Sequence, residues 1–431
     1  MKSVLALSFI ISTRFFGLFI VMPVLSLYAL ELKNANEFLI GLLVGVYALM
    51  QIIFQVPFGI LSDKIGRKKT MFIGLAIFII GSLICANSND IYTMIIGRII
   101  QGSGAIGAVG SAMISDFVSE EKRGKAMAIM GGFIGIAFAV SMVLSPIMSS
   151  FWGLSSLFYL SAILSFICII MLFTTIPKET KITHQNTKTP IIKLIKEKNL
   201  SLMNITNFMQ KMLMSIAFLS IPIMLNKEFN YPIDQLWHVY LASMIFGFLA
   251  MGLAGSMGER RGLSKNILLI GIVFFAISYL IFAFSMDSFV FMVGVVVFFI
   301  GFNLHEPIMQ SCASKFCKVN EKGAALGIFN AFGYGGSFVG GIMGGYFLHH
   351  YDFKYLAFIL IFLSIIWFVL LLFLKNPRDF SNLYLDLNTN IKDLSNIDGI
   401  IESYKNSKNL VIKYDNKKIS KEKLESLINT F

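Results

Sequence analysis

The chain has 431 residues, of which 56% are apolar and 42 are phenylalanine, and its formal net charge is +12. This composition excludes an ordinary soluble globular protein and indicates a polytopic membrane protein. The basic residues are scattered over short loops, so we expect them to set the membrane topology, and we do not expect nucleic-acid binding.

Twelve apolar runs approach or exceed the length of about 20 residues that a helix needs to cross the hydrocarbon core. In chain order the predicted spans are 3–30, 39–61, 70–86, 91–116, 124–151, 155–176, 200–225, 234–257, 266–285, 288–312, 323–350 and 353–374. The polar connection 177–199, with a short surface helix expected at Ile191 to Ile195, separates six spans from six. We therefore predict an all-α membrane protein with helix bundles at 1–176 and 200–375.

Basic residues concentrate in the even-numbered connections, at 64–69, 122–125, 177–199, 260–265 and 315–322. The odd-numbered connections hold only Lys33, Lys227 and Lys354. Because cytoplasmic loops carry the excess of Lys and Arg, we predict that this side, called the basic side below, faces the cytoplasm. Both termini would then be cytoplasmic, in a bacterial inner membrane.

The connection between the second and third spans carries a Gly-x-x-x-Asp-x-x-Gly-Arg pattern, with Gly59, Asp63, Gly66 and Arg67 at its fixed positions. The corresponding connection in the second half repeats it as Gly255, Glu259 and Gly262, without a cation after the last glycine. A repeat of this kind is typical of transporters built from duplicated bundles.

Two further patterns lie inside spans. The fourth span contains Arg98-x-x-Gln101-Gly102-x-Gly104-Ala105, and the fifth contains Gly131-Gly132 and Pro146, with Ser or Ala where Gly is common. With the loop pattern, they make the chain resemble the major facilitator superfamily, and within it the twelve-span drug:proton antiporters.

This resemblance implies two six-helix halves and a secondary transporter, not an enzyme. It implies no cofactor, with the proton gradient as energy source, and a monomer in the lipid bilayer that handles a small-molecule substrate and protons.

The tail at 379–431 alternates apolar and polar residues at 383–387 and 410–414, with helical patterns at 397–400 and 421–428. This order predicts a small βαββα sandwich. It resembles the cytoplasmic ferredoxin-like domain of the YajR-type transporters of that superfamily. The tail contains no Cys or His, so we expect no metal there; it would bind an unknown cytoplasmic ligand or pack against the transporter.

The loop pattern suggests a conformational latch. Asp63 is expected to accept hydrogen bonds from backbone N–H groups at the start of another helix and from Arg67 and Arg98, with Asp116 joining the cluster. The alternative is a topogenic loop with a static ion pair.

Charges inside spans are costly unless they face a cavity or a partner. Glu306, beside Asn303, is the candidate for the coupled proton, and Arg14 or Lys211 is its candidate counter-ion. A permanent structural salt bridge is the alternative.

A substrate cavity with aromatic, thioether and amide groups is expected to tolerate varied amphipathic ligands. Its candidates are Phe15, Phe19, Tyr47, Gln51, Gln55, Gln210, Met214, Trp237 and Tyr240. We interpret the chain as an exporter of small hydrophobic compounds in exchange for protons by alternating access. The alternatives are an uptake symporter for a nutrient or metabolite and a membrane sensor that acts through its tail.

Overall fold

The computed structural model describes residues 2–118, 120–177, 191–318, 321–386, 397–405 and 409–429. The helices of the membrane part are α1 (Lys2–Phe19), α2 (Met22–Ala29), α3 (Glu37–Ile65), α4 (Arg67–Ala86), α5 (Ile91–Ser103), α6 (Gly107–Asp116), α7 (Glu120–Thr174), α8 (Ile191–Lys196), α9 (Lys198–Ile223), α10 (Leu236–Arg260), α11 (Ser264–Phe284), α12 (Ser288–Phe316), α13 (Lys322–His350) and α14 (Phe353–Leu372). The tail consists of β1 (Phe380–Asp386), β2 (Ile400–Lys405), β3 (Asn409–Asp415) and α15 (Lys421–Asn429).

All twelve predicted spans are helical, but two of them are divided and two are joined into one helical segment. The first span is divided into α1 and α2, and the fourth into α5 and α6 around Gly104. Conversely, the fifth and sixth spans form one continuous segment, α7, with a kink at Gly153, where φ is 71°. The predicted surface helix is confirmed as α8, and α9 begins at Lys198, inside the predicted linker.

Nine helical stretches among the described residues are long and apolar enough to cross a membrane. The α7 stretch counts once although it holds two spans, and the α5–α6 pair is too interrupted to count. The glycine-rich α13 is also outside this set, because glycine adds length without much hydropathy. The composition of these stretches is that of a membrane protein.

Short polar residues fix where several helices begin on the side opposite the basic loops. The side chains of Asn36, Asp90 and Asp287 accept hydrogen bonds from the backbone N–H groups of Leu39, Thr93 and Val290, at 2.8, 3.0 and 2.9 Å. Such caps satisfy N–H groups that have no partner inside the helix. The caps of α5 and α12 occupy equivalent places in the two halves, as expected of a duplicated bundle.

The most extensive contacts between the two halves are those of α3 with α13, α7 with α10, and α2 with α9. The α3–α13 contact depends on glycine. A Cβ atom added to Gly41 would lie 2.2 Å from the carbonyl oxygen of Gly341, and one added to Gly345 would lie 2.7 Å from the carbonyl oxygen of Glu37. Small residues therefore allow the two backbones to touch.

The tail forms an antiparallel sheet in the order β1-β3-β2, with α15 packed against it through Leu424. This is the strand order of a ferredoxin-like domain without its last strand. The helical pattern predicted at 397–400 is wrong: Ile397 to Gly399 form a turn and Ile400 begins β2. A register shift between Ile400 and Glu402 disturbs the alternation that would have marked this strand.

The tail sheet lies against the second half of the membrane part. Lys413 Nζ donates a hydrogen bond to the carbonyl oxygen of Cys317 at 2.6 Å, and the rings of Phe380 and Phe316 meet edge to face at 5.4 Å. Arg378 packs against Gly262, where φ is +67° and an added Cβ would lie 2.3 Å from the Arg378 side chain.

Candidate functional site

The loop between α3 and α4 brings three of the predicted latch residues together. Arg67 Nη1 is 2.7 Å from Asp63 Oδ1, and Arg67 Nε is 3.3 Å from Asp116 Oδ2. Gly66 joins the helices at φ 100° and ψ 153°, a conformation that only glycine adopts readily. The Asp63 side chain is 64% exposed, so the cluster holds this carboxylate in an open position.

Arg98 is not part of this cluster, and its predicted contact with Asp63 is wrong. It is fully buried in α5, where Nη1 donates to Gln101 Oε1 at 2.6 Å and the guanidinium lies 4.7 Å from the centre of the Tyr47 ring. The sequence shows that Arg98 is a cation within a span, but it does not show how α5 is oriented about its axis. That orientation places Arg98 in the core of the first half. Of the two cations predicted to contact Asp63, Arg67 does so and Arg98 does not.

The pattern around Arg98 instead forms a polar network. Gln101 donates to the Ser82 hydroxyl at 2.9 Å, and the main-chain carbonyl of Gly102 accepts from Gln51 at 2.6 Å. At the break between α5 and α6, the carbonyl oxygen of Gly104 accepts from Arg14 Nη2 at 3.1 Å as well as from the backbone N–H of Ile106. The glycines of this pattern thus present carbonyl groups to buried side chains.

Arg14 and Arg98 lie on the same Tyr47 ring, with the Arg14 guanidinium 5.4 Å from its centre. Neither arginine forms a salt bridge with a carboxylate in the described part of the chain. The first half therefore buries two cations that ring faces and carbonyl dipoles stabilise.

In the second half, by contrast, the cation Lys211 forms a salt bridge with a carboxylate. Lys211 Nζ, on α9, is 2.5 Å from Glu306 Oε1, on α12, and Gln210 Nε2 donates to the same oxygen at 3.2 Å. The two charged side chains are 25% and 32% exposed, so they are not sealed in a packed core although they lie well inside spans. Of the two predicted counter-ions, Lys211 pairs with Glu306 and Arg14 does not.

Asn303 does not join this pair. Its side-chain amide donates to the carbonyl oxygen of Phe299 at 2.8 Å, and it faces Gly247 of α10. It fixes the contact between α10 and α12.

A row of aromatic rings connects the halves, and of its members the sequence analysis named only Phe19 as a cavity residue. Phe138 of α7 lies 5.0 Å from Phe19, 6.4 Å from Phe218 and 6.0 Å from Phe302. Lys211 Nζ lies 4.9 Å from the centre of the Phe302 ring. With 42 phenylalanines in the chain, no sequence signal separates these from rings that face lipid.

The predicted cavity residues fall into two groups. Half-buried ones that present a surface are Phe15, Phe19, Gln55, Met214 and Trp237. Those buried in this conformation are Tyr47, Gln51, Gln210 and Tyr240. The Tyr240 hydroxyl donates across the halves to the carbonyl oxygen of Pro23 at 3.1 Å, so it belongs to the contact between the halves.

A cleft of about 340 Å³ opens between the halves on the basic side. Its first wall is the end of α3, including Gln55, Gly59 and Asp63, and its second wall is α13 at Gly327 and Ala331. An added Cβ at Gly59 or Gly327 would meet no atom within 4 Å. The open space therefore lies directly beside the exposed Asp63 carboxylate.

The opposite side of the same interface is closed. The Ser26 hydroxyl donates to the carbonyl oxygen of Phe218 at 3.3 Å, and Glu37 of the first half meets His349 at 3.0 Å and Lys227 at 3.7 Å in the second. The conformation is thus open on the basic side and closed on the other.

The repeated loop between α10 and α11 has only part of this geometry. Gly262 has a positive φ like Gly66, and Lys265 donates to the carbonyl of Leu372 as Lys68 does to that of Ile176. A Cβ atom added to Gly255 would lie 3.9 Å from the Pro307 side chain. The Glu259 side chain lies outside the described residues. The repeat predicted from sequence is therefore visible in the turn and in the lysine contacts.

Comparisons with known proteins agree with this architecture. The profile of the Major Facilitator Superfamily matches residues 7–209 and 200–384. The inner membrane transport protein YajR of Escherichia coli K12 is 33% identical over 388 residues, which cover 89% of this chain and 85% of that protein. A class B tetracycline resistance protein of Escherichia coli is 32% identical over 183 residues, covering 41% of this chain and 44% of that protein. A solved structure of a mutant nucleoside transporter, NupG, superposes with a TM-score of 0.69 at 16% identity, over 86% of this chain and 98% of that one.

Proposed function

Because this chain belongs to the major facilitator superfamily of membrane transporters, we propose that it exports small amphipathic or hydrophobic compounds in exchange for protons. It would do so by alternating access in a bacterial inner membrane, with the basic side and both termini in the cytoplasm. The Lys and Arg excess on that side supports the orientation.

The observation that carries the proposal is the Lys211–Glu306 pair. Glu306 is a titratable acid well inside a span, and it is one-third exposed in a conformation that is open on the basic side. A proton that enters from the open side neutralises Glu306 and releases Lys211, which leaves an uncompensated cation between α9 and α12. The two protonation states therefore stabilise different packings of these helices, which couples the proton to the conformational change.

The aromatic row supports the substrate class. Phe302 lies beside Lys211, and Phe138 and Phe19 continue this row of apolar ring faces into the first half. An amphipathic compound that stacks on these rings contacts both halves at once, so its binding responds to their relative position. The relative named for tetracycline resistance supports export of a drug-like compound.

The loop cluster would act as the latch of the conformation that is closed on the basic side. Asp63 and Gly327 lie on facing walls of the cleft, so closure moves the Asp63 carboxylate towards the first turns of α13. A carboxylate is stabilised at a helix N-terminus by the unpaired N–H groups there, typically by about 0.3–1 kcal/mol. Arg67, held by Asp116, would orient Asp63 for that contact.

The test is transport of an amphipathic dye in everted membrane vesicles energised by a pH gradient. Glu306→Gln keeps the shape of the side chain but cannot release a proton, and we expect about tenfold or more slower gradient-driven transport, the change that ~1.4 kcal/mol produces. The control variant is Glu422→Gln, in the exposed first turn of α15, which should transport like the unaltered protein.

Two outcomes would contradict the proposal. Unchanged gradient-driven transport in Glu306→Gln would show that this carboxyl group is not part of the coupling. Dye accumulation by the unaltered protein that does not depend on the pH gradient would rule out proton exchange.

A further inference from the structure

A small polar cavity lies where the tail meets the membrane part on the basic side. Its volume is about 120 Å³, and its wall comes from the end of α12, the start of α13 and the tail sheet. Phe380, which meets Phe316 edge to face, is part of its wall. It is separate from the cleft beside Asp63, which has other lining residues.

Three lysines from three different elements line this cavity: Lys315 of α12, Lys322 of α13 and Lys413 of β3. Lys413 is only 6% exposed, and one of its three N–H groups is used by the carbonyl of Cys317. Lys315 and Lys322 form no salt bridge within the described ranges, which leaves their ammonium groups available as donors.

The carboxylates near these lysines do not neutralise them. Glu402 Oε1 is 3.9 Å from Lys413 Nζ, the outer limit of an ion pair, and the charge of Glu321 also acts on Lys413. Burial lowers the pKa of Lys413 despite both acids. A buried ammonium group that two acids leave incompletely compensated is a place where a further anion is stabilised.

We propose that this cavity binds a phosphate group, which joins the tail to the α12–α13 turn. The cavity has room for several water molecules, and therefore for a tetrahedral phosphate with part of its hydration shell. Lysine ammonium groups bind phosphate as point charges, and the Asn382 amide in the wall adds a neutral donor. The phosphate is either that of a free anion or that of a lipid headgroup, since the cavity lies at the end of two spans.

Bound phosphate would tighten the tail against the second half. Lys413 belongs to the tail, whereas Lys315 and Lys322 belong to the membrane part, so a shared anion replaces their mutual repulsion with attraction to one centre. Lys322 begins α13, the helix that forms the second wall of the cleft. Occupancy would therefore hold the start of α13 in place, whatever compound the transporter carries.

The first experiment is calorimetric titration of the detergent-solubilised full chain with inorganic phosphate at constant ionic strength, because exposed charges are screened by salt. We expect saturable binding to one site. The double variant Lys315→Gln with Lys322→Gln should bind about tenfold more weakly, whereas Lys318→Gln, an exposed lysine of the same turn that does not line the cavity, should bind within about twofold of the unaltered protein.

The second experiment separates the two sources of phosphate. The same titration is made in nanodiscs of phosphatidylcholine with and without phosphatidic acid. Weaker apparent binding of inorganic phosphate in the phosphatidic acid discs identifies the lipid headgroup as the occupant, and equal binding identifies the free anion.

The bridging role is read from hydrogen exchange of the β3 amides, which phosphate should slow several-fold in the unaltered protein and in Lys318→Gln but not in the double variant. The proposal is overturned if phosphate does not bind saturably, if the double variant binds as the unaltered protein does, or if phosphate leaves β3 exchange unchanged.

Discussion

The interface between the two halves differs between its ends. On the side opposite the basic loops, α3 and α13 touch so closely that a Cβ on Gly341 would lie 2.5 Å from the carbonyl oxygen of Gly41. About 27 Å further along α3, Gly59 and the facing Gly327 have no neighbour within 4 Å of such an atom. The same two helices are thus in contact at one end and apart at the other.

The difference between the two ends gives a reason for glycines that contact nothing in this conformation. A glycine inside a helix costs about 1 kcal/mol relative to alanine, so an uncontacted one is not explained by this conformation. Under the alternating-access proposal, Gly59 and Gly327 are required when the basic side closes and the opposite side opens. Each end of the interface then has small residues that only one conformation uses.

The largest expected effect comes from breaking the closed end. In Gly341→Ala the added methyl group meets backbone atoms of Gly41 and Gly45, which cannot move without separating α3 from α13. Overpacking of this kind typically costs about 1–3 kcal/mol. We expect transport about tenfold slower or worse, a lower unfolding temperature, and faster maleimide labelling of a cysteine introduced at the buried Ser26.

The matched variant is Gly327→Ala, at the open end of the same helix. Its methyl group meets no atom in the present conformation, so the unfolding temperature should stay the same or rise slightly. Equal loss of stability in both variants would show that the two ends do not differ in the way described.

A smaller effect is expected from the two repeated loops. Asp63→Asn removes the charge that Arg67 and Asp116 orient, and we expect about three- to tenfold slower dye transport, which corresponds to ~0.7–1.4 kcal/mol. Glu259→Gln, in the loop without a cation after Gly262, should slow transport by less than about twofold. Equal losses in parallel vesicle assays would refute the assignment of the latch to the first half.

The smallest effect concerns the exposed charges at the closed end. Glu37 pairs with His349 and Lys227, but these side chains are 26%, 39% and 49% exposed, and such pairs are worth only about 0.2–1 kcal/mol. Glu37→Gln should therefore change transport by about twofold at most, and less at high salt. A tenfold loss that persists at high salt would mean that the charges, rather than the glycine contact, hold this end closed.

The sequence was sufficient for features that depend on composition and local chemistry. Long apolar runs predicted the spans, and the second glycines of the repeated loops, Gly66 and Gly262, both have the positive φ that a tight turn between helices requires. Arg67 contacts Asp63 across the turn at Gly66, so these partners are neighbours in the sequence as well. These features need no knowledge of what packs against them.

Features that depend on helix rotation and on distant partners could not be predicted. Arg98 and Arg14 are both cations inside spans, and only the packing shows that they share the Tyr47 ring while Lys211 takes Glu306. Gly104, at the break between α5 and α6, likewise packs against a distant residue, Gly74, whose carbonyl oxygen would lie 2.4 Å from a Cβ at Gly104.

The contact of Arg378 with Gly262 is one of several that attach the tail to the second half. The described contacts of the tail are with α12 and the α10–α11 loop, both in the second half. Just before the tail, the Lys375 N–H donates to the side-chain oxygen of Asn199, on α9, at 3.1 Å. If the halves rotate relative to each other, the tail moves together with the second half. A fluorophore placed on α15 would therefore magnify a small tilt of that half into a displacement that can be followed in a single molecule.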